Sequence, residues 1–319
     1  MKWIRRMLLI GITAVILAIG WPHLDRLKPA AAFAWRSVSS GEFLKPGPVI
    51  QGEAAVLVNG ETGELLFSKR ASERMYPAST TKVMTALIAL ERLKPEDRIT
   101  VGDEVSLRTP GESSAGLTAG QKLTLRDLIA AMMLPSGNDA ARTVAVHVAR
   151  KSCGAKLKTR EAMNCFAKLM NERAKQLGAD DSHFVNPHGL HDPDHYSTAR
   201  DLAIIAMKAM EQPEFRRIVA EPEHRVAGSA GTGSAVSSSG SPAPQRYTNR
   251  NLLVQPSGGY YFQGANGVKT GFTDEAGYCL VASAQRGGTQ LISVVLRSTQ
   301  SEVWTDSTAL LTYGFGKSS

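Results

Sequence analysis

The 319-residue chain holds only three cysteines, has no internal repeat, and its longest apolar stretch, residues 7–21, is short and interrupted by Gly and Thr. So few cysteines exclude a small fold stapled by many disulfides. So short an apolar run excludes a protein that crosses a membrane several times. Disordered and collagen-like chains are excluded too, because 43% of the residues are hydrophobic and 21% charged, a globular composition with enough apolar material for a substantial core. The net charge is +8, and half of it sits in residues 1–34, where Lys2, Arg5, Arg6, Arg26 and Lys28 face Asp25 alone. The mild basic excess that remains suits an anionic polymer as partner and does not call for nucleic acid.

Residues 1–6 are basic, and residues 7–21 reach about 22 Å as a helix, short of a ~30 Å hydrocarbon core. Followed by Ala32-Phe33-Ala34, they match a secretory signal cleaved after Ala34; the other reading is an uncleaved N-terminal anchor. Either one exports the body of the chain and leaves no cytoplasmic function. In that compartment Cys153 and Cys165, twelve residues apart, can pair and stabilise the fold by about 2–3 kcal/mol. Cys279, inside the apolar run Tyr278-Cys279-Leu280-Val281-Ala282, reads as a small buried hydrophobe rather than a nucleophile.

Residues 35–52 read as a leader. A β-hairpin is expected over 54–59 and 64–68, turning at Gly60-Glu61-Thr62-Gly63. Helices are expected over 79–92, over 125–134 (stopped by Pro135-Ser136-Gly137), from 138 or 139 to 150, over 160–177 and over 199–211. Residues 228–244, rich in Gly and Ser, form a flexible loop, and strands at 276–284 and 290–296 precede a closing helix at 302–313. Strands at both ends of the chain with helices between them imply an α+β domain whose antiparallel sheet is assembled from both termini.

Three short motifs stand at element boundaries. In Ser79-Thr80-Thr81-Lys82 the i, i+3 spacing on a helix lets the lysine amine reach the serine hydroxyl. A serine becomes a nucleophile only when a base takes its proton, and a lysine serves once burial and a neighbouring cation lower its pKa. Ser136-Gly137-Asn138 fills a break between helices, where a hydroxyl beside an amide can relay a proton and hold a peptide carbonyl; helix capping is the plainer reading. Lys269-Thr270-Gly271 offers a cation and a hydroxyl for a carboxylate, with a glycine that lets substrate backbone approach; an exposed strand lysine is the plainer reading.

Taken in order, the three motifs resemble the set shared by penicillin-binding proteins and class A β-lactamases, with Gly137 where the latter carry Asp. Segments 76–87 (YPASTTKVMTAL), 133–141 (MLPSGNDAA), 184–190 (FVNPHGL) and 267–284 (GVKTGFTDEAGYCLVASA) resemble the low-molecular-mass D-alanyl-D-alanine carboxypeptidases. These are serine peptidases of bacterial cell-wall maintenance. The resemblance spans residues 50–315. It implies a β-lactamase/D,D-peptidase-like fold: about five antiparallel strands flanked by helices, with a mostly helical subdomain. Ser79 would be acylated and Lys82 would be its base. Ser136 would pass a proton to the leaving D-alanine, Asn138 would bind substrate and assist deacylation, and Lys269 and Thr270, with Gly271, would hold the terminal carboxylate. Backbone N–H groups of Ser79 and Phe272 would form the oxyanion hole. The implied partners are peptidoglycan stem peptides, lying as an extra strand along the Lys269 strand, and β-lactams that trap Ser79. No metal or organic cofactor is implied, and the protein would act outside the cytoplasm as a monomer.

His188, His191, Asp192, Asp194 and His195 are metal ligands by type, but their loop carries Pro187, Gly189 and Pro193 and nothing fixes a tetrahedral set, so no metal is expected. The expected layout is a catalytic domain at 53–319 without the β-rich second domain of many relatives. Membrane contact would then come only through the N-terminal segment, with residues 151–164 and 228–244 as insertions. The rival readings are a D,D-endopeptidase, a β-lactamase, and a non-catalytic peptidoglycan-binding or β-lactam-sensing module. A β-lactamase would need a water-positioning glutamate, and residues 184–200 contain none.

Overall fold

A computed structural model describes residues 47–230 and 244–317. The proposed signal or anchor, most of the leader, and the centre of the Gly/Ser-rich loop lie outside the described residues. Strands β1 (Ala54–Asn59) and β2 (Leu65–Lys69) form the expected hairpin. They join β7 (Ala265–Thr273), β8 (Gly277–Arg286) and β9 (Thr289–Ser298) in one antiparallel sheet of order β2-β1-β9-β8-β7. The α+β architecture, with a sheet built from both ends of the chain, is as the sequence implies. Among the described residues this order leaves β7 as a free edge.

The apolar runs of β8 and β9 come from burial on both faces: residues 279–284 and 291–296 are all buried. On one face lies α7 (Glu302–Lys317), where Leu57, Leu280, Leu291 and Val295 pack with Val303, Leu310 and Leu311. Gly314 lets this helix approach closely, since a Cβ there would sit 2.6 Å from Leu291 and 2.9 Å from Leu57. Asp306 of α7 accepts from the Gln51 and Gly52 amides, so the end of the leader is docked on the domain. Helices α1 (Lys82–Arg92) and α5 (Ala199–Met210) lie on the other side.

The helical region is built from α2 (Leu125–Met133), α3 (Asn138–Cys153), α4 (Thr159–Leu177) and α6 (Pro213–Ala220). Helix α2 opens with a capping box between Thr124 and Asp127. Helix α4 ends at Gly178 with φ +77°, the left-handed close that glycine allows. The Cys153–Cys165 disulfide ties the end of α3 to α4.

Four features differ from the sequence expectation. The first helix starts at Lys82, not residue 79. Residues Ala78–Thr81 form a 3-10 turn instead, because Ala78 is left-handed (φ +47°) and Thr80 closes on the Pro77 carbonyl through both N–H and Oγ1. Helix α6, which starts on Pro213, was unforeseen. So were two short ribbons, β3 (Arg98–Thr100) with β4 (Lys122–Thr124), and β5 (Glu223–Ala230) with β6 (Pro244–Thr248). The backbone of β5 thus reaches into the stretch read as loop.

Candidate active site

The Ala78–Thr81 turn and the first turn of α1 hold Ser79 and Lys82 side by side, with Lys82 Nζ 2.8 Å from Ser79 Oγ. Lys82 is wholly buried. Its amine also lies 2.7 Å from Asn138 Oδ1 and 2.7 Å from the His188 carbonyl oxygen. Both of those oxygens can only accept. A neutral amine has two N–H donors and one lone pair. If the donors serve Asn138 and His188, the lone pair faces Ser79, whose hydroxyl then donates to it. Burial first, then the Lys269 charge and more weakly those of Arg142 and Arg250, hold Lys82 well below the usual lysine range; Glu112 opposes them. The electrostatics favour the uncharged state, and the geometry accommodates it, with one lone pair free for the Ser79 hydroxyl.

Ser136 and Asn138 enter from the break between α2 and α3. Ser136 is 4% exposed and holds φ at +70°, a conformation costly for serine and often concentrated at functional sites. Gly137 is required by space, since a Cβ would lie 2.7 Å from Ala115 and 2.8 Å from the Ala131 carbonyl. The backbone of Asn138 donates to Ser113, and its Nδ2 lies 3.4 Å from Glu112 Oε2, which turns Oδ1 toward Lys82.

The third motif lies on the free edge strand. Lys269 is 1% exposed, so the exposed-lysine reading does not hold. Its Nζ is 3.4 Å from Thr270 Oγ1, and burial together with Arg250 lowers its pKa to about 7. Gly271 brings β7 against the serine turn: a Cβ there would stand 3.1 Å from both Ser79 N and Pro77 O. Phe272 follows, half exposed, its ring 4.5 Å from that of Tyr278. Ser79, Ser136, Asn138, Thr270, Gly271 and Phe272 all line one cavity of about 740 Å³. Lys269 does not line the cavity itself; its charge acts on Lys82 and feels that of Arg250.

Several participants carried no sequence signal. Glu112 comes from the loop before β4, and Arg142 sits one turn along α3 from Asn138. They form a two-pronged ion pair, 2.6 Å for each prong, with side chains 0% and 3% exposed. Arg250, which donates to Ser113, adds a cation to the cavity wall. Asp139 anchors the 114–117 backbone through the Ala115 and Leu117 amides. An arginine on an otherwise apolar helix face was the one legible hint.

The His/Asp loop does other work. His188 presents its carbonyl to Lys82, His195 Nε2 lies 2.8 Å from Thr81 Oγ1, and His191 packs edge-on against Tyr76. Burial, followed by the Arg142 charge, holds His188 well below the usual imidazole range. Among the described residues no group of three His, Cys, Asp or Glu side chains is arranged to hold a metal ion. Cys279 is buried with its thiol pushed up to about 11 by burial, away from nucleophile behaviour.

Comparison with known proteins adds independent observations. A family model described as D-alanyl-D-alanine carboxypeptidase matches residues 42–300. The D-alanyl-D-alanine carboxypeptidase DacF of Bacillus subtilis is 31% identical over 272 residues, 84% of this chain, which spans 63% of the length of that relative. The D-alanyl-D-alanine carboxypeptidase of Streptomyces strain K15 is 35% identical over 276 residues, covering 84% of this chain and 88% of the relative. The crystal structure of the Streptomyces K15 DD-transpeptidase superposes with a TM-score of 0.73 at 33% identity, covering 85% of this chain and all of that one.

Proposed function

Because the chain belongs to the D-alanyl-D-alanine carboxypeptidase family of serine peptidases, we propose that it removes the terminal D-alanine from peptidoglycan pentapeptides through an acyl-enzyme on Ser79. The observation that carries this is the Lys82 amine, with two acceptor-only oxygens on its donors and the Ser79 hydroxyl 2.8 Å away. Lys82 takes the Ser79 proton as Oγ attacks the penultimate D-alanine carbonyl. The carbonyl oxygen is received by the Ser79 and Phe272 amides, each such donor lowering the barrier by about 3–4 kcal/mol. Ser136 passes the proton to the leaving amine, the Ser79–carbonyl bond forms, and the peptide C–N bond breaks. Lys269 and Thr270 hold the carboxylate, and the peptide adds to the free edge of β7. Water then hydrolyses the ester with Asn138 assisting. β-Lactams acylate Ser79 by the same route and leave slowly.

The protein works outside the cytoplasm on cell-wall peptides, as a monomer. The signal or anchor in residues 1–34 accounts for export; among the described residues no helix is long and apolar enough to cross a membrane. A second reading, transfer of the acyl group to an amine rather than to water, draws on the K15 DD-transpeptidase likeness and shares every step up to the ester. A β-lactamase reading is weakened because residues 184–200, where a water-positioning glutamate would be sought, contain no glutamate.

The test is mass spectrometry of the protein after incubation with penicillin and, separately, with a pentapeptide ending in D-Ala-D-Ala. The expected result is a penicilloyl adduct that maps to Ser79 and is absent in Ser79→Ala, with free D-alanine from the peptide. An adduct that persists in Ser79→Ala overturns the nucleophile, and cross-link cleavage without D-alanine release moves the reading to endopeptidase.

A further inference from the structure

Among the described residues, the charges that act on Lys82 are Lys269 on β7, Arg142 on α3, Arg250 after β6 and one anion, Glu112, while the His188 loop that faces it is neutral. That anion touches the catalytic constellation through one bond only, from Asn138 Nδ2 at 3.4 Å. Thr109 Oγ1 also donates to it at 3.0 Å, and Arg142 grips both of its oxygens. We propose that Glu112 and Arg142 are a matched pair of positioning residues: Glu112 orients the Asn138 amide so that its oxygen meets Lys82, and Arg142 offsets the Glu112 charge so that this orientation does not draw a proton onto the amine. The inference rests on Lys82 being the base for Ser79.

The reasoning is one of competing requirements. Asn138 has an oxygen and an NH₂ that exchange places when the amide rotates by half a turn. With the NH₂ facing Lys82, two donors would confront each other, and the amine would have to spend its lone pair on Asn138 instead of Ser79. An acceptor on the far side of the amide prevents that rotation, and a carboxylate, which cannot donate, is the firmest acceptor available. A bare carboxylate this close would also favour the ammonium form of Lys82. The bidentate guanidinium removes that penalty. Burial alone would raise the carboxyl of Glu112; hydrogen bonds and charge from Arg142, with Thr109 and Asn138, reverse this and leave it below the usual carboxylate range. Loop 113–117, held down by Asp139, fixes the height at which Glu112 enters.

The pH profile of the second-order acylation rate with a fluorescent penicillin tests this on the full exported chain. Acylation needs neutral Lys82, so the rate falls on the acid side as the amine gains its proton. Arg142→Met leaves Glu112 unopposed, and its acid limb is expected to move to higher pH, with a rate about tenfold lower at neutral pH. Glu112→Gln leaves Arg142 unopposed, and its limb moves to lower pH. The pair Glu112→Gln with Arg142→Met returns the limb toward the parent, and Arg142→Lys, which keeps the charge, rescues it if Arg142→Met folds poorly. Limbs that coincide in all variants, or that move in the same direction in both single variants, overturn the proposal and leave a structural ion pair. Failure of the underlying reading looks different: Lys82→Ala would still be acylated at the parent rate.

Discussion

Between the sheet and α7, Leu57, Leu280, Leu291, Leu310 and Leu311 are fully out of solvent and pack hydrocarbon on hydrocarbon. On the opposite side of β7, Lys82, Asn138, Arg142 and Lys269 are nearly as dry, yet they carry amines, an amide and a guanidinium. Equal burial has opposite consequences in the two places. The first region gains about 25 cal/mol for each Å² of apolar surface removed from water. The second loses hydration of charged groups that hydrogen bonds only partly return. It also holds Ala78 and Ser136 in left-handed backbone, at about 1–3 kcal/mol each. The difference teaches that the sheet is the source of stability and the site is where that stability is consumed.

The sharpest way to break this comparison is Lys82→Ala. Removal of the proposed base should lower the acylation rate by about 10²–10⁴-fold or more, while the thermal midpoint stays at or above that of the parent, because a buried amine has left. Stopped-flow acylation with a calorimetric scan reads both at once. Unchanged acylation, or collapse of the fold, would show that the lysine belongs with the structural core after all. The mirror experiment is Leu291→Ala, in the apolar region beneath Gly314. It should cost about 2–5 kcal/mol in urea unfolding, with the acylation rate of the folded fraction unchanged. A large kinetic effect there would mean that the two regions are not separable.

How much of this could be read without coordinates follows the same division. The hairpin, β8, β9 and most helices were legible because apolar periodicity reports directly on burial, and the boundaries differed by only a few residues. Fixed spacing, itself chemical information, made Ser79, Lys82, Ser136, Asn138 and Lys269 candidates, and the fold draws Ser79 and Asn138 onto the Lys82 amine. Helix α6 and the ribbons β3–β4 and β5–β6 were not, since short half-buried elements follow no strong period. Glu112, Arg250 and the His188 carbonyl were also hidden. A residue that acts through a loop meeting a helix from elsewhere has no local pattern, and a backbone carbonyl has no residue signature at all. The histidine-rich loop drew attention for its side chains, and its contribution to the site is a main-chain oxygen.

Lys269 gives the smallest expected effect and ties the two halves of the comparison together, because one proton has opposite consequences for stability and for binding. Burial, then Arg250, lowers its pKa to about 7 from an ordinary value of 10.5. The folded state therefore prefers the neutral amine. The cost of holding it charged is fully present below about pH 7 and disappears as pH rises from there toward the unfolded value. Stability should rise across that window. A carboxylate needs the cation, so kcat/KM for a peptide with a free C-terminus should fall across the same window, while an amide-capped peptide responds little. Lys269→Met removes both trends: it raises unfolding free energy at pH 6 by about 1 kcal/mol and weakens free-carboxylate discrimination by about tenfold. Urea titrations and paired peptide kinetics at pH 6 and 9 measure the two slopes. Parallel slopes, or a Lys269→Met protein that is less stable at pH 6, would place this lysine on the structural side of the divide.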